Sequence, residues 1–282
     1  MSEVIRVGIA KFGCLGIIPV IEYLLDERAE RKDIRTYVAG SGSKLDPEIC
    51  TEIANAILNF KPHIALALSP NAALPGPTKG RSILKEAGIP TIVISDKPAK
   101  KIREKLEAEG FGYMIIEAES MIGARREFLD PTEMALYNSD LLRVLAITGV
   151  FNLVIREIDR VIEDLKTGNS LTLPKLVINR EKALEASGLT NPYAKCKAMA
   201  AHEISSRVSD LTIEGCFVIK EMEKYIPIVA SAHEMMRIAA KLADEAREIE
   251  KGIDSVFRMP HHPKGMLLKK WKLIEKPLKP NS

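Results

Sequence analysis

The sequence is poor in aromatic residues, in cysteine and in net charge. Aromatic residues make up 5% of the 282 residues, there are four cysteines, and 41 Lys+Arg against 38 Asp+Glu leave a net charge of +3. The cysteines are widely spaced and form no CxxC pair, which argues against a cysteine zinc site or a disulfide framework. The near balance of charge also removes the simplest argument for a nucleic-acid partner, a strong basic excess.

Long apolar runs are missing as well. No stretch approaches the roughly 18 uninterrupted apolar residues that a membrane-spanning helix needs. The opening residues, MSEVIRVGIAKFG, enter a strand-like run without the pattern of a signal peptide. With 46% hydrophobic and 28% charged residues, the composition is typical of a globular protein with a sizeable core. We therefore expect a cytoplasmic globular protein with no membrane partner.

Short β-rich runs alternate with helical stretches over the first 117 residues. The β-rich runs are 5–10, 34–39, 63–68, 91–95 and 112–117, and the helical stretches lie near 16–31, 47–60, 79–88 and 99–109. This alternation predicts an α/β fold with a doubly wound, mostly parallel, Rossmann-like sheet. Right-handed crossovers place the strand-to-helix loops at the carboxyl edge of such a sheet, where ligands bind.

Beyond residue 117 the apolar residues recur at spacings of three and four, which predicts a helical region. We expect helices over 121–127, 131–166, 179–187, 192–210, 212–222 and 226–251, followed by a hairpin or extended arm. The chain then divides into an α/β ligand-binding domain (1–117), a helical region for packing, oligomerisation and part of the site (118–255), and a C-terminal arm (256–282).

The first two strand-end loops have the composition of anion sites. The first, KFGCLG (11–16), leads into a helix N-terminus, whose N–H groups favour an anionic group. It lacks both the GxGxxG and the GxxxxGK[ST] spacing, so a tight turn is an equally good interpretation. The second contains Ser41, Gly42, Ser43 and Lys44, which can surround a phosphate with N–H groups, hydroxyls and one cation. A flexible solvated loop is the alternative.

The later loops add cations and carboxylates. The third loop (69–81) contains three prolines and leads to Thr78, Lys79 and Arg81, a pattern that suits an anionic ligand. Asp96 and Lys97 follow the fourth strand. In the segment 117–127, Glu119 can bond a heterocycle, and Arg125 and Arg126 can hold carboxylates; a solvated charged helix is as good an interpretation.

Other features carry little weight. His261 and His262 lack a third metal ligand at useful spacing, and His202 and His233 fit packing or surface positions. There is no GxSxG elbow and no His/Cys pair for a nucleophilic dyad. The remaining chemistry is a transfer between two bound organic molecules that the protein orients.

Six long strings carry a resemblance: VGIAKFGCLG, YVAGSGSKLDPE, LALSPNAALPGPTKGR, VISDKPAKK, IIEAESMIGARREFLDPTEMALYNSD and MPHHPKGMLLKKWKL. Together they resemble the coenzyme F420-dependent methylenetetrahydromethanopterin dehydrogenases of methanogenic archaea over essentially the whole chain. The resemblance implies hydride transfer between the methylene carbon and C5 of the deazaflavin, in methanogenesis from CO2. It also implies the absence of metal and nicotinamide, and a homohexamer with both ligands near subunit interfaces.

The resemblance also implies ligand positions. For coenzyme F420, the head and ribityl chain are expected at Ala10, Lys11, Phe12, Gly13, Cys14, Ser69, Pro70 and Asn71, the phosphate at Ser41, Gly42, Ser43 and Lys44, and the acidic tail at Thr78, Lys79 and Arg81. The pterin is expected at Asp96, Lys97, Glu119 and Arg126. Asp96 or Glu119 would stabilise the methenyl cation, and no side chain need take a proton. The alternative function is a non-catalytic oligomeric sensor of a phosphorylated ligand.

Overall fold

A six-stranded parallel sheet organises the fold. The structure is a computed structural model that describes residues 4–17, 21–22, 25, 30–120, 125 and 127–279. The strands are β1 (Ile5–Lys11), β2 (Ile34–Gly40), β3 (Ile64–Ser69), β4 (Thr91–Asp96), β5 (Gly112–Ile116) and β6 (Lys175–Ile178), in the order β2-β1-β3-β4-β5-β6. Every pairing is parallel, which confirms the predicted doubly wound α/β fold. The strand order reverses between β1 and β3, the point at which such sheets bind ligands.

The sixth strand comes from the half of the chain that we expected to be helical. β6 pairs with β5 from Tyr113↔Lys175 to Ile116↔Ile178 and forms one edge of the sheet. Its four residues, KLVI, are too few to show a period of two against the surrounding helical pattern. The sheet is therefore completed by a segment 58 residues beyond the predicted end of the α/β domain at 117.

Helices cover both faces of the sheet. They are α1 (Pro47–Asn59), α2 (Pro75–Glu86), α3 (Arg103–Ala108, after a 3₁₀ turn at Lys97–Ile102), α4 (Pro131–Ile147), α5 (Val150–Thr167), α6 (Arg180–Ser187), α7 (Pro192–Ile213) and α8 (Met222–Gly252). Alternate residues of β3 face opposite sides. Ala65 and Ala67 pack with Cys50 of α1, whereas Leu66 and Leu68 belong to the larger core formed with the helices from α4 onward.

The long predicted helix over 131–166 is two helices. α4 ends at Ile147 and α5 begins at Val150. Between them Gly149 has φ = +97°, a conformation that favours glycine, and a Cβ there would collide with the backbone of Ala183 and Ser187 in α6. The continuous apolar stripe hid this break, because the stripe continues across it on the same buried side.

Other helix boundaries also differ. The helix expected near 79–88 begins at Pro75, since proline is tolerated in a first helical turn. The helix expected over 212–222 is a π-helical turn at Glu214–Val218, and α8 begins at Met222 rather than near 226. The helix expected near 16–31 lies largely outside the described residues, as does most of the one over 121–127.

The C-terminal arm folds back on itself. Antiparallel bridges join Arg258 to Lys270, His261 to Leu267, and Lys269 to Leu278. One contact that anchors it to the body of the molecule is a hydrogen bond of 2.7 Å between His261 Nε2 and Asp159 Oδ2 on α5. Within the ranges described above, no helix combines the length and the apolar run needed to cross a bilayer.

Candidate active site at the carboxyl edge of the sheet

The first and second loops meet beside β1. The Gly13 N–H donates to Ser41 Oγ at 2.8 Å, and that hydroxyl donates to Lys44 O at 2.7 Å. Gly13 has φ = +86°, and a Cβ there would press on Leu45 and Pro70. This close approach joins three of the sequence-predicted loops, because Pro70 belongs to the third.

The third loop is tied to the end of β4. Ser95 Oγ donates to Ser69 O at 2.8 Å and accepts from the Ala72 N–H at 3.1 Å. Beneath the loop, the Arg81 guanidinium donates to Ala72 O and is only 2% exposed. Arg81 therefore lies under the loop, although its place after the third loop in the sequence predicts a ligand-facing side chain. It is buried because it lies on the inner face of α2.

Glu119, just beyond β5, holds the first loop. Its Oε1 accepts the Gly16 N–H at 3.0 Å and its Oε2 accepts the Ile17 N–H at 3.1 Å, across more than 100 residues of sequence. The side chain is fully buried. Burial raises the pKa of Glu119 to about 8, even though the bonded N–H groups favour the charged form. Both oxygens are thus engaged by the protein itself, a contact that sequence spacing does not reveal.

Asp96, the last residue of β4, is the buried carboxyl without a partner. It is 1% exposed, and neither of its oxygens has a hydrogen-bond partner among the described residues. Burial, and then the charge of Glu119, raise the pKa of Asp96 well above its usual value. An unpaired buried carboxyl costs stability, so it is a strong sign of a group that a ligand completes.

Helix α7 crosses the ends of β4 and β5. Lys97 Nζ lies 2.6 Å from Asp210 Oδ1 and also donates to Ser206 O at 3.4 Å. Ser205 Oγ donates to Ala118 O at 2.6 Å, next to Glu119. Sequence reasoning missed Ser205 and Asp210; the available signal was a set of polar residues on a helix that is otherwise rich in buried alanine.

The outer side of the site carries free cations. Lys44 and Lys79 are exposed, and neither pairs with a carboxylate within the described ranges. Gly42 and Ser43 are also exposed, whereas Lys11 Nζ lies 2.9 Å from Glu22 Oε1. The site thus has a buried floor with two carboxyl groups and a solvated border with two cations, and the border is suited to a ligand with an anionic extension.

The other predicted site residues differ in their burial and contacts. Phe12 is buried against Gly80, Cys14 is half-buried with its thiol 3.5 Å from Gly42 O, and Thr78 Oγ1 donates to Ala72 O at 3.3 Å. Ala10, Ser69 and Pro70 are buried and Asn71 is half-buried. Arg126 lies outside the described residues.

Arg125, His202 and His233 are engaged in contacts within the protein. Arg125 donates to Ile219 O at 2.8 Å and its guanidinium lies 4.5 Å from the Tyr225 ring centroid. His233 stacks on Tyr137, and His202 is buried in α7. Among the residues that the structure describes, no three His, Cys, Asp or Glu side chains are grouped to hold a metal ion.

Comparisons with known proteins cover almost the whole chain. The family model for methylene-5,6,7,8-tetrahydromethanopterin dehydrogenase matches residues 5–278. The chain is 53% identical over 275 residues to the F420-dependent methylenetetrahydromethanopterin dehydrogenase of Methanocaldococcus jannaschii, an alignment that spans 97% of this chain and 99% of that protein. It is 56% identical over 274 residues to the enzyme of the same name from Archaeoglobus fulgidus, with the same coverage.

A solved structure is also similar. It is that of an F420-dependent methylene-tetrahydromethanopterin dehydrogenase in complex with methylene-tetrahydromethanopterin and coenzyme F420. The TM-score is 0.93 at 47% sequence identity, over 98% of this chain and 100% of the other.

Proposed function

The chain belongs to the methylenetetrahydromethanopterin dehydrogenase family, and from this premise we propose that the carboxyl edge of its sheet is where hydride transfer takes place. The protein is an oxidoreductase that acts on methylenetetrahydromethanopterin with coenzyme F420. The observation that carries this function is its likeness, at 47% identity and a TM-score of 0.93, to a structure in complex with both molecules. No separate feature favours the sensor of a phosphorylated ligand.

The border of the site fits coenzyme F420, whose phosphodiester and glutamate tail are anionic. Lys44 and Lys79 are exposed and lack a carboxylate partner within the described part of the chain, so they are free to meet these groups. We place the phosphate at Ser41–Lys44, the acidic tail at Thr78 and Lys79, and the head and ribityl chain along 10–14 and 69–71. When bound, the deazaflavin supplies a two-electron hydride acceptor.

Arg81 has a different role in this proposal. Its buried guanidinium donates to Ala72 O below the third loop, so it positions the loop instead of touching the ligand. The fixed loop keeps Ser69, Pro70 and Asn71 in place beside the first loop. Fixed geometry is the main contribution that a protein can make when two bound molecules react directly.

The floor of the site suits the pterin. Loss of a hydride leaves a methenyl cation, and a nearby carboxylate stabilises developing positive charge in a water-poor site. Asp96 is the carboxyl whose oxygens have no partner among the described residues, so we assign it this electrostatic role. Glu119 holds the backbone of the first loop through Gly16 and Ile17 and thereby positions the adjoining ligand surface. Lys97 and Arg126 complete the proposed pterin contacts.

Assembly and location complete the proposal. We propose a cytoplasmic homohexamer with both ligands near subunit interfaces, as the family resemblance implies. Light scattering on the purified protein measures the subunit number, and a monomer that is fully active would contradict a shared site.

A spectroscopic assay tests the function directly. Purified protein, oxidised coenzyme F420 and methylenetetrahydromethanopterin are mixed, and the visible absorbance of the oxidised coenzyme is followed. We expect the absorbance to bleach with turnover. A sensor would leave it unchanged, and a nicotinamide enzyme would instead reduce added nicotinamide.

A further inference from the structure

A second cleft lies at the amino ends of the strands, opposite the proposed active site at their carboxyl ends. It has a volume of about 940 Å³ and lies between α5 and the turn of the C-terminal arm, beside the start of β2. We call it the arm cleft; its charged lining consists of the cations Lys32, Arg156, Arg160, Lys166 and Lys264 and the carboxylates Asp33, Asp159 and Glu163. Two hydrogen bonds to backbone oxygens of the arm hold it together: the Lys32 N–H donates to Pro263 O at 2.9 Å, and Lys166 Nζ donates to Lys264 O at 3.0 Å.

The carboxylates in the lining of the arm cleft already have cationic partners. The buried guanidinium of Arg31 lies 2.9 Å from Asp33 Oδ2 and 2.8 Å from Asp159 Oδ1. Asp159 also pairs with His261, and Lys166 lies between Asp33 and Glu163 at 3.4 and 2.9 Å. Each of these carboxylates therefore has a cationic partner within the protein, Arg31 or Lys166.

Three cations on the surface of the arm cleft remain. Lys32, Arg156 and Lys264 are exposed, and none of them lies within ion-pair distance of a carboxylate in the part of the chain that the structure describes. They come from three separate elements: the residue before Asp33 and β2, the middle of α5, and the turn of the arm. Arg160, in contrast, already pairs with Glu157 and Asp164.

We propose that the arm cleft is a binding site for a small phosphate-type polyanion, held by Lys32, Arg156 and Lys264. Two ammonium groups and one guanidinium can together match the charge of a pyrophosphate, and a guanidinium offers paired N–H donors to phosphate oxygens. The volume of the cleft accommodates such an anion with its hydration water. Because the arm supplies Lys264 while the body supplies the other two cations, binding also fastens the arm to α5.

Calorimetric titration with inorganic pyrophosphate at low ionic strength tests the site. We expect the Arg156→Ala/Lys264→Ala double variant to bind at least tenfold more weakly than the wild type. Both side chains are exposed, so the variant should fold and retain hydride transfer. Lys195→Ala, which removes an exposed lysine on α7, is the matched control and should bind as the wild type does.

Two further titrations make the result decisive. Lys44→Ala should leave pyrophosphate binding unchanged; loss of binding there would move the anion to the active site and overturn the proposal. Citrate tests whether any trivalent anion suffices, and equal affinity for citrate would overturn the phosphate assignment. Wild-type binding by the double variant, or no binding by the wild type, would also overturn it. Since hydride transfer is assayed separately, failure here is distinguishable from failure of the proposed function.

Discussion

The pKa values of the buried carboxyl groups are shifted in opposite directions at the two ends of the sheet. At the amino end, Asp33 is buried, which raises its pKa, yet the hydrogen bonds and charge of Arg31 outweigh this and bring the pKa below its usual value. At the carboxyl end, burial and the charge of Glu119 raise the pKa of Asp96, and no cation within the described ranges offsets them. The paired acids help to hold the arm in place, whereas the unpaired acid is where we propose that a ligand binds.

The largest effect on stability is expected from removal of Arg31, the cation that Asp33 and Asp159 share. Arg31→Met leaves Asp33 and Asp159 buried without their guanidinium, which should lower the free energy of unfolding by about 3–5 kcal/mol. Urea denaturation measures this. Asp96→Asn is the matched comparison and should cost nothing or stabilise the fold, because it removes a carboxyl that lacks a partner. Equal losses of unfolding free energy in the two variants would show that the buried carboxyl groups at the two ends of the sheet do not differ in this way.

The pH dependence of stability should differ between the two ends. Glu119 has a pKa raised from 4.5 to about 8, so its stabilising contribution is complete below pH 4.5 and is lost as the pH rises towards 8. The pKa of Asp33 is lowered, so its contribution is present above its ordinary pKa of 3.8 and is lost as the pH falls.

Comparison with Glu119→Gln isolates the first of these effects. Between about pH 5 and pH 8, the unfolding free energy of the wild type should fall by a few kcal/mol relative to that of the variant. Urea denaturation at a series of pH values measures the difference. A difference that stays constant across this range would show that Glu119 is ionised throughout.

Activity should be sensitive to the unpaired acid. Asp96→Asn removes the carboxyl group that can ionise beside the methenyl cation as it forms, and kcat/KM should fall about 10- to 100-fold, or roughly 1.4–2.7 kcal/mol. Steady-state bleaching of coenzyme F420 measures this. The control is Glu48→Gln, which neutralises an exposed carboxylate on α1 and should have no effect. Full activity in Asp96→Asn would remove the electrostatic role.

The smallest effect is expected at the border of the site. Lys44→Ala should raise the KM for coenzyme F420 about two- to fivefold and leave kcat unchanged, because an exposed cation contributes about 1 kcal/mol or less to binding. Lys195→Ala again serves as the control. A lowered kcat with an unchanged KM would place Lys44 at the reacting groups instead.

The sheet could be predicted from the sequence because its elements follow local rules. Five of the strands alternate with helices at regular spacing, so the order of the elements in the sheet could be predicted, and the loops rich in glycine, serine and lysine indicate the edge of the candidate site. β6 was not predictable, since four residues carry too little pattern, and its place depends on pairing with β5.

Within the candidate site, the sequence indicates the types of residue but not their hydrogen-bond partners. Glu119 bonds the Gly16 and Ile17 amides from the other end of the domain, and Ser205 reaches Ala118 from a helix 87 residues later. Arg81 looks like an exposed cation in the sequence, yet it is buried because α2 begins four residues earlier than its pattern indicates. Such contacts depend on tertiary packing, which neither spacing nor composition contains.

The hydrogen bonds from Gly16 and Ile17 to Glu119 have a consequence for the order of folding during synthesis of the chain. While the ribosome is still making the first hundred residues, the turn after β1 has no acceptor for these two amides, and β5 has no neighbour on its outer side until Lys175–Ile178 has emerged. A fragment released at residue 117 would expose that open strand edge to other chains. Assembly of the reactive surface is therefore a late event in biosynthesis, although most of its residues are translated first.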